Sequence, residues 1–278
     1  MQPNLTIFNS FFNEILSEDI GICGDITTNA LLDEEKLINF KIIPREKIVL
    51  CGIGITGWYF DNFGVKLYKS HFKDGDIVER GEVILEGQGD ARTILMLERT
   101  ILNFMQHLSG VATATHQYVE EVKGTSAKIT DTRKTIPGIR AFQKYAVRCA
   151  GGENHRSCLD SAIMIKDNHI NLVGTVSEAL KRAKLKNPHH TKIIIECDRF
   201  EQFQEALGLG AEIILLDNMQ VAEIEKCVAY NKGKTILEAS GGITLSNVRK
   251  IAETGVDYIA IGAITHSVKA ADIGIDFE

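Results

Sequence analysis

The chain is short of several features that would each direct it elsewhere. No CxxC pair occurs among its six cysteines (Cys23, Cys51, Cys149, Cys158, Cys197 and Cys227), and no basic, apolar, small-residue leader opens it, so reduced thiols in a cytoplasm are expected. No HxH or HxxxH spacing joins His155, His169 or His266, which argues against a zinc site. The uncharged stretch 48–60 is 13 residues long and holds three glycines, too short and broken for the roughly 20 apolar residues of a membrane helix. Cations do not dominate either: 31 Lys and Arg against 37 Asp and Glu give a net charge of −6, which excludes a global basic field for nucleic acid. What remains is ordinary globular material, 278 residues with 44% apolar and 24% charged side chains, enough for one or two domains with full cores.

Up to about residue 90 the chain is punctuated by glycine (52, 54, 57, 64, 75, 81, 87 and 89) between short β-rich runs such as 47–50 and 82–85. This reads as a small, mostly antiparallel α+β domain. From Ala91 the period changes: Ile94, Leu97, Ile101, Leu102, Met105 and Leu108 recur every three to four residues, predicting an amphipathic helix that stops at Gly110, with a second helix reaching Lys123.

After Gly124 six short apolar runs follow, each ending in a polar or glycine cluster. They are 127–129 into Thr130-Asp131-Thr132-Arg133-Lys134, 162–165 into Lys166-Asp167-Asn168-His169, and 192–195 into Glu196-Cys197-Asp198. Then come 212–216 into Asp217-Asn218, 235–237 into Glu238-Ala239-Ser240-Gly241-Gly242, and 258–261 into Gly262. Buried parallel strands joined by right-handed helical crossovers produce this rhythm, in an α/β barrel or an open parallel sheet. In such folds functional residues gather at the carboxyl ends of the strands.

Charge is concentrated in one place. Between Lys123 and Arg156 stand eight cations and two acids, giving +6 there and leaving −12 elsewhere, which points to a small polyanionic ligand. Lys123, Lys128 and Lys144 read as a solvated helix face. Arg133, Lys134, Arg156 and Lys166 sit in or beside strand-end clusters, where guanidinium forks and compact ammonium charge grip carboxylate or phosphate. Ser240-Gly241-Gly242 and Gly262 place small residues where backbone N–H groups can meet a phosphate. Glu196 and Asp217 end consecutive strands, and hard oxygens beside phosphates suit magnesium; an N-cap or salt-bridge role competes. His155, beside Arg156, is a candidate donor to substrate, while His169 and His266 could equally be structural.

Together these residues resemble the quinolinate phosphoribosyltransferases. The matching strings are GDITT at 24–28, LERTILNFMQHLSG at 97–110, DTRKTIPGIR at 131–140, KYAVRCAGGENHR at 144–156, IKDNH at 165–169 and LEASGGI at 237–243. The resemblance implies an N-terminal α/β sandwich with its linking helix (1–112), an incomplete barrel of six parallel strands (113–266), and a C-terminal segment (267–278) returning to the first domain. It implies transfer from phosphoribosyl pyrophosphate to quinolinate with decarboxylation and magnesium, in a homodimer or higher assembly of dimers with shared sites. By the family pattern Arg133, Lys134, His155, Arg156 and Lys166 surround quinolinate, and Arg99 reaches it from the neighbouring subunit. Glu196 and Asp217 serve ribose and metal, and with Lys134 and Lys166 form the expected catalytic set. Ser240 to Gly242 and Ile261, Gly262 and Ala263 hold phosphate, with Thr132 and His266 as further substrate contacts. The stretch Ser157-Cys158-Leu159-Asp160-Ser161 departs from the pattern, which usually shows a glycine and a later acidic residue there.

Three other readings compete. A related family associated with molybdenum transport shares part of the TRKT and SGG patterns but not the complete NHR and KDNH strings. A Schiff-base lyase would use Lys166 at its strand end. A non-catalytic anion sensor would leave Glu196 and Asp217 without a purpose.

Overall fold

A computed structural model describes residues 3–278; residues 1 and 2, inside the expected first domain, lie outside it. Its strands are β1 (Leu37–Pro44), β2 (Ile48–Val49), β3 (Leu67–Ser70), β4 (Ile77–Val78), β5 (Leu85–Asp90), β6 (Lys128–Thr130), β7 (Ile163–Ile165), β8 (Ile193–Cys197), β9 (Ile213–Asp217), β10 (Ile236–Ser240), β11 (Tyr258–Ala260) and β12 (Ile273–Phe277). Two compact units divide the chain. The first holds the chain through Ala114 together with Ala141–Ala150 and Val268–Glu278, and the second holds Thr115–Arg140 and Gly151–Ser267.

In the first unit a four-stranded antiparallel sheet runs in the order β12-β1-β5-β3. Strand β1 alternates, with Phe40 and Ile42 buried on one face, as a half-buried strand requires. The residues beyond 267 therefore supply an edge strand to this sheet, Phe40 lying opposite Phe277.

Helix Arg140–Cys149 differs from the expected boundaries, which kept 113–266 together. Its residues from Ala141 onward group with the first unit because Phe142, Ala146 and Val147 bury their apolar stripe there. Phe142 joins a cluster of aromatic rings, 4.7 Å between centroids from Phe8 and 5.6 Å from Phe12. Lys144, expected on a solvated face, is only 2% exposed on this helix. Lys123 and Lys128 remain exposed and pair with Glu120 and Glu153.

The expected break at Gly110 does not occur: one helix runs continuously over Ala91–Glu121. Gly110 is instead a site of close approach, since a Cβ there would run into the Lys269 carbonyl and lie 3.2 Å from Ala270 Cα. Gly110→Ala is therefore expected to destabilise the protein by about 1–3 kcal/mol through overpacking, although alanine alone favours a helix by about 1 kcal/mol. Urea unfolding checks this; a stabilised variant would show that residues 269–270 do not constrain the helix.

The second unit contains six parallel strands in the order β6-β11-β10-β9-β8-β7. Strands β6 and β7, neighbours in the chain, stand at opposite edges, and no ladder joins them among the described residues. The barrel is thus incomplete between its first two strands. Helices Val176–Lys186, Phe200–Gly208, Val221–Asn231 and Val248–Glu253 form the later crossovers. The fully buried Ile195, Ile214, Leu216 and Ile259 show why these strands read as continuous apolar runs rather than alternating ones. Among the described residues no helix is long and apolar enough to cross a membrane.

Candidate active site

The carboxyl ends of the six strands converge on one cavity of about 540 Å³, lined by residues following or ending every strand from β6 to β11. Register explains which side chains meet there. Glu196 on β8 lies opposite Leu215 on β9, which lies opposite Glu238 on β10. One pleat further, Asp217 lies opposite Ser240, and Ser240 opposite Ala260. Paired residues share a sheet face, so two successive rows of side chains point into the cavity.

The cationic wall comes from the loops after β6 and β7 and from the segment leading from helix Arg140–Cys149 into β7. Thr132, Arg133, Lys134, Arg156 and Lys166 all line the cavity. The Arg133 Nε is buried and has no hydrogen-bond partner among the described residues. Lys134 is held through its backbone: its N–H donates to Thr132 Oγ1 at 3.0 Å and its carbonyl accepts from Thr265 Oγ1 at 2.7 Å. Arg156 donates through Nη1 to the Ala162 carbonyl at 2.9 Å. Burial, with Arg133 nearby, pulls its pKa below the ordinary arginine value, while Glu196 acts in the opposite sense. Lys166 Nζ forms a close ion pair with Glu196 Oε1.

Asp131, fully buried, organises the segment that carries His155 and Arg156. It accepts from Asn154 Nδ2 at 2.6 Å and from the His155 backbone N–H at 2.9 Å. The Arg156 backbone N–H donates to His155 Nδ1 at 2.7 Å. The ring proton of a neutral His155 therefore sits on Nε2, which faces Glu238 Oε2 at 3.4 Å.

Opposite the cations, the turn after β10 wraps tightly. Gly241 has φ +92°, and a Cβ there would press into Asn218, whose own φ is +55° and whose N–H donates to the Ser240 carbonyl at 2.8 Å. Only glycine fits this approach. Asp217 Oδ2 accepts from Asn218 Nδ2 at 2.9 Å. Among the described residues no group of three or more His, Cys, Asp or Glu is placed to hold a metal ion.

Of the expected site residues, Thr132, Arg133, Lys134, His155, Arg156, Lys166, Glu196, Asp217, Ser240, Gly241 and Gly242 line this cavity. Ile261, Gly262, Ala263 and His266 are not among the lining residues: Ile261 is buried and donates its backbone N–H to the Thr130 carbonyl, Gly262 lies close to Lys134 and His266, and His266 is exposed. Arg99 is exposed on helix Ala91–Glu121 in the first unit. His169 takes a structural role, its Nδ1 accepting the Lys166 backbone N–H at 3.0 Å. Met164, Leu215, Asn218, Glu238 and Ala260 line the cavity without having been singled out. Alternation along β9 and β10 could have found Leu215 and Glu238, two residues before Asp217 and Ser240.

Known proteins match this chain over almost its whole length. The family model for the quinolinate phosphoribosyl transferase N-terminal domain matches residues 25–109, and that for its C-terminal domain matches 111–276. A probable carboxylating nicotinate-nucleotide pyrophosphorylase of Methanocaldococcus jannaschii is 43% identical over 270 residues, covering 94% of each chain. The carboxylating nicotinate-nucleotide pyrophosphorylase of Mycobacterium leprae is 42% identical over 267 residues, again covering 94% of each. The crystal structure of nicotinate-nucleotide pyrophosphorylase from Ehrlichia chaffeensis superposes with a TM-score of 0.93 at 46% identity, covering 98% of both chains.

Proposed function

The chain belongs to the quinolinate phosphoribosyltransferase family, and on that premise we propose how its cavity works. The reaction joins quinolinate to the ribosyl group of phosphoribosyl pyrophosphate, giving nicotinate mononucleotide, pyrophosphate and carbon dioxide in de novo NAD synthesis. The observation that carries the site reading is a cavity walled by Arg133, Lys134, Arg156 and Lys166, with a buried Arg133 N–H that no protein group among the described residues accepts. Such a wall suits a small dianion.

Quinolinate occupies the cationic side, its carboxylates gripped by Arg133, Arg156 and Lys166, with Thr132 and Lys134 beside them. The phosphate of the ribosyl donor lies along Ser240, Gly241 and Gly242, where the absence of side chains lets backbone N–H groups reach it. As pyrophosphate departs, positive charge grows at the ribose carbon, and Glu196 and Asp217 stabilise it. Once the pyridine nitrogen is ribosylated, loss of carbon dioxide leaves an electron pair on the adjacent ring carbon, which the cationic wall stabilises. No covalent enzyme intermediate is required. Ile261, Gly262 and Ala263 extend the phosphate-binding backbone beside Lys134, with His266 next to Gly262 as a further substrate contact.

Glu196 and Asp217, with no larger ligand cluster among the described residues, fit magnesium held mostly by substrate oxygens and water rather than by an all-protein cage. Glu196 and Asp217 would hold it, and when bound it offsets the charge of the departing pyrophosphate. Six free cysteines suit the reducing cytoplasm in which we place the reaction. Glu196→Gln and Asp217→Asn keep shape and remove charge. Each is expected to lower activity and shift its magnesium dependence while leaving quinolinate affinity close to normal. Unchanged magnesium titrations in both variants would return the pair to a structural role.

A further inference from the structure

Glu238 is the one cavity carboxylate left over once Glu196 and Asp217 have their roles. It is 4% exposed and lies two strands from Glu196 in the same row, separated by Leu215. At about 4.8 Å per strand the two acids stand roughly 10 Å apart. Their surroundings differ. Glu196 is neutralised by Lys166, whereas Glu238 faces His155 through Oε2 and leaves Oε1 buried with no hydrogen-bond partner among the described residues.

A buried acid in the wall of a site for a dianion opposes ground-state binding, because like charges in a low-dielectric cavity repel strongly. A group that weakens substrate binding can still accelerate the reaction if the charge it faces becomes more positive on the way to the transition state. Here it does: as the pyridine nitrogen attacks the ribose carbon, its lone pair becomes the new N–C bond, the C–O bond to pyrophosphate breaks, and the ring acquires a positive charge.

We propose that Glu238 is a turnover-determining carboxylate of this reaction, placed to disfavour the quinolinate dianion and to favour the pyridinium ring formed from it. His155 is its positioning residue. With Nδ1 accepting the Arg156 N–H and the segment fixed by Asp131, the imidazole edge is set 3.4 Å from Glu238 Oε2 beside the cavity that both residues line. The inference rests on the quinolinate reading of the same cavity. It adds a residue whose removal moves binding and turnover in opposite directions.

The test compares the unaltered chain with Glu238→Gln, which keeps the side-chain shape and removes the charge. Calorimetry with quinolinate and steady-state turnover are measured on both. The expected result is quinolinate affinity equal to or above that of the unaltered protein, with kcat at least tenfold lower. Glu238→Asp, which restores the charge, is expected to recover part of kcat. Quinolinate affinity that falls in step with kcat, or an unchanged kcat, would overturn the proposal, since a merely structural acid weakens both or neither.

A second measurement needs no variant. Phthalate carries the same two carboxylates on an uncharged carbocycle, and 1-methylpyridinium-2,3-dicarboxylate, the N-methylated quinolinate, carries them on a cationic ring. The unaltered protein is expected to bind the N-methylated quinolinate at least tenfold more tightly than phthalate, and Glu238→Gln to lose that preference. Equal binding of the two by the unaltered protein, or a preference that survives Glu238→Gln, would overturn the role of Glu238. Failure of the unaltered protein to bind quinolinate at all would instead overturn the function itself.

Discussion

Arg156→Lys is expected to bind quinolinate about 10-fold to 150-fold more weakly than the unaltered protein, a loss close to that of Arg156→Ala. Arg156 is anchored through Nη1 on the Ala162 carbonyl, so its remaining donors are held in a fixed fork toward the cavity that it lines. An ammonium at the end of a flexible stem keeps the charge but not the two-pronged grip. Each charge-assisted hydrogen bond lost from a desolvated site costs about 1.5–3 kcal/mol, which converts to that range of affinity. Phosphoribosyl pyrophosphate binding is expected to change little. Calorimetry showing normal quinolinate binding by Arg156→Lys would make Arg156 a generic charge.

Arg99→Ala and Lys166→Ala are each expected to be nearly inactive, and a refolded mixture of the two to regain activity. Lys166 lines the cavity of the second unit, while Arg99 is an exposed cation on the helix of the first. In the two-fold dimer we propose, Arg99 completes the cavity of the neighbouring chain. A heterodimer of the two variants then contains one site with both residues intact. Random pairing makes half the dimers mixed, so about a quarter of all sites recover, as a two-fold interface requires. A mixture that stays as inactive as its components, with heterodimers verified by mass, would mean that Arg99 serves its own chain or no site.

The parallel sheet was legible in the sequence because a strand buried on both faces needs an uninterrupted apolar run, and the chain must turn polar where each strand meets solvent. The cavity was legible for the same reason: Arg133, Lys166, Glu196, Asp217 and Ser240 stand at the ends of such runs. Gly110 was misread because glycine in a helical pattern signals equally a stop or a close approach, and only the passage of residues 269–270 separates them. Helix Arg140–Cys149 could not be assigned to the first unit from its own pattern, since an amphipathic stripe does not name the surface that covers it. Glu238 opens a strand-end cluster whose glycines drew the reading to Ser240, Gly241 and Gly242, and only register places it in the row of Leu215 and Glu196. The supporting role of Asp131 was hidden because its partners, Asn154 and His155, are more than twenty residues away.

The most direct measurement of the central claim is product analysis of the purified protein incubated with phosphoribosyl pyrophosphate, magnesium and quinolinate carrying label in its 2-carboxylate. The account predicts nicotinate mononucleotide and labelled carbon dioxide in equal amounts. With nicotinic acid instead, little product is expected, because the missing carboxylate leaves a cation of the cavity wall unpaired at a cost of about 1.5–3 kcal/mol per lost bond. Comparable turnover of nicotinic acid, or mononucleotide formed without release of the label, would contradict it.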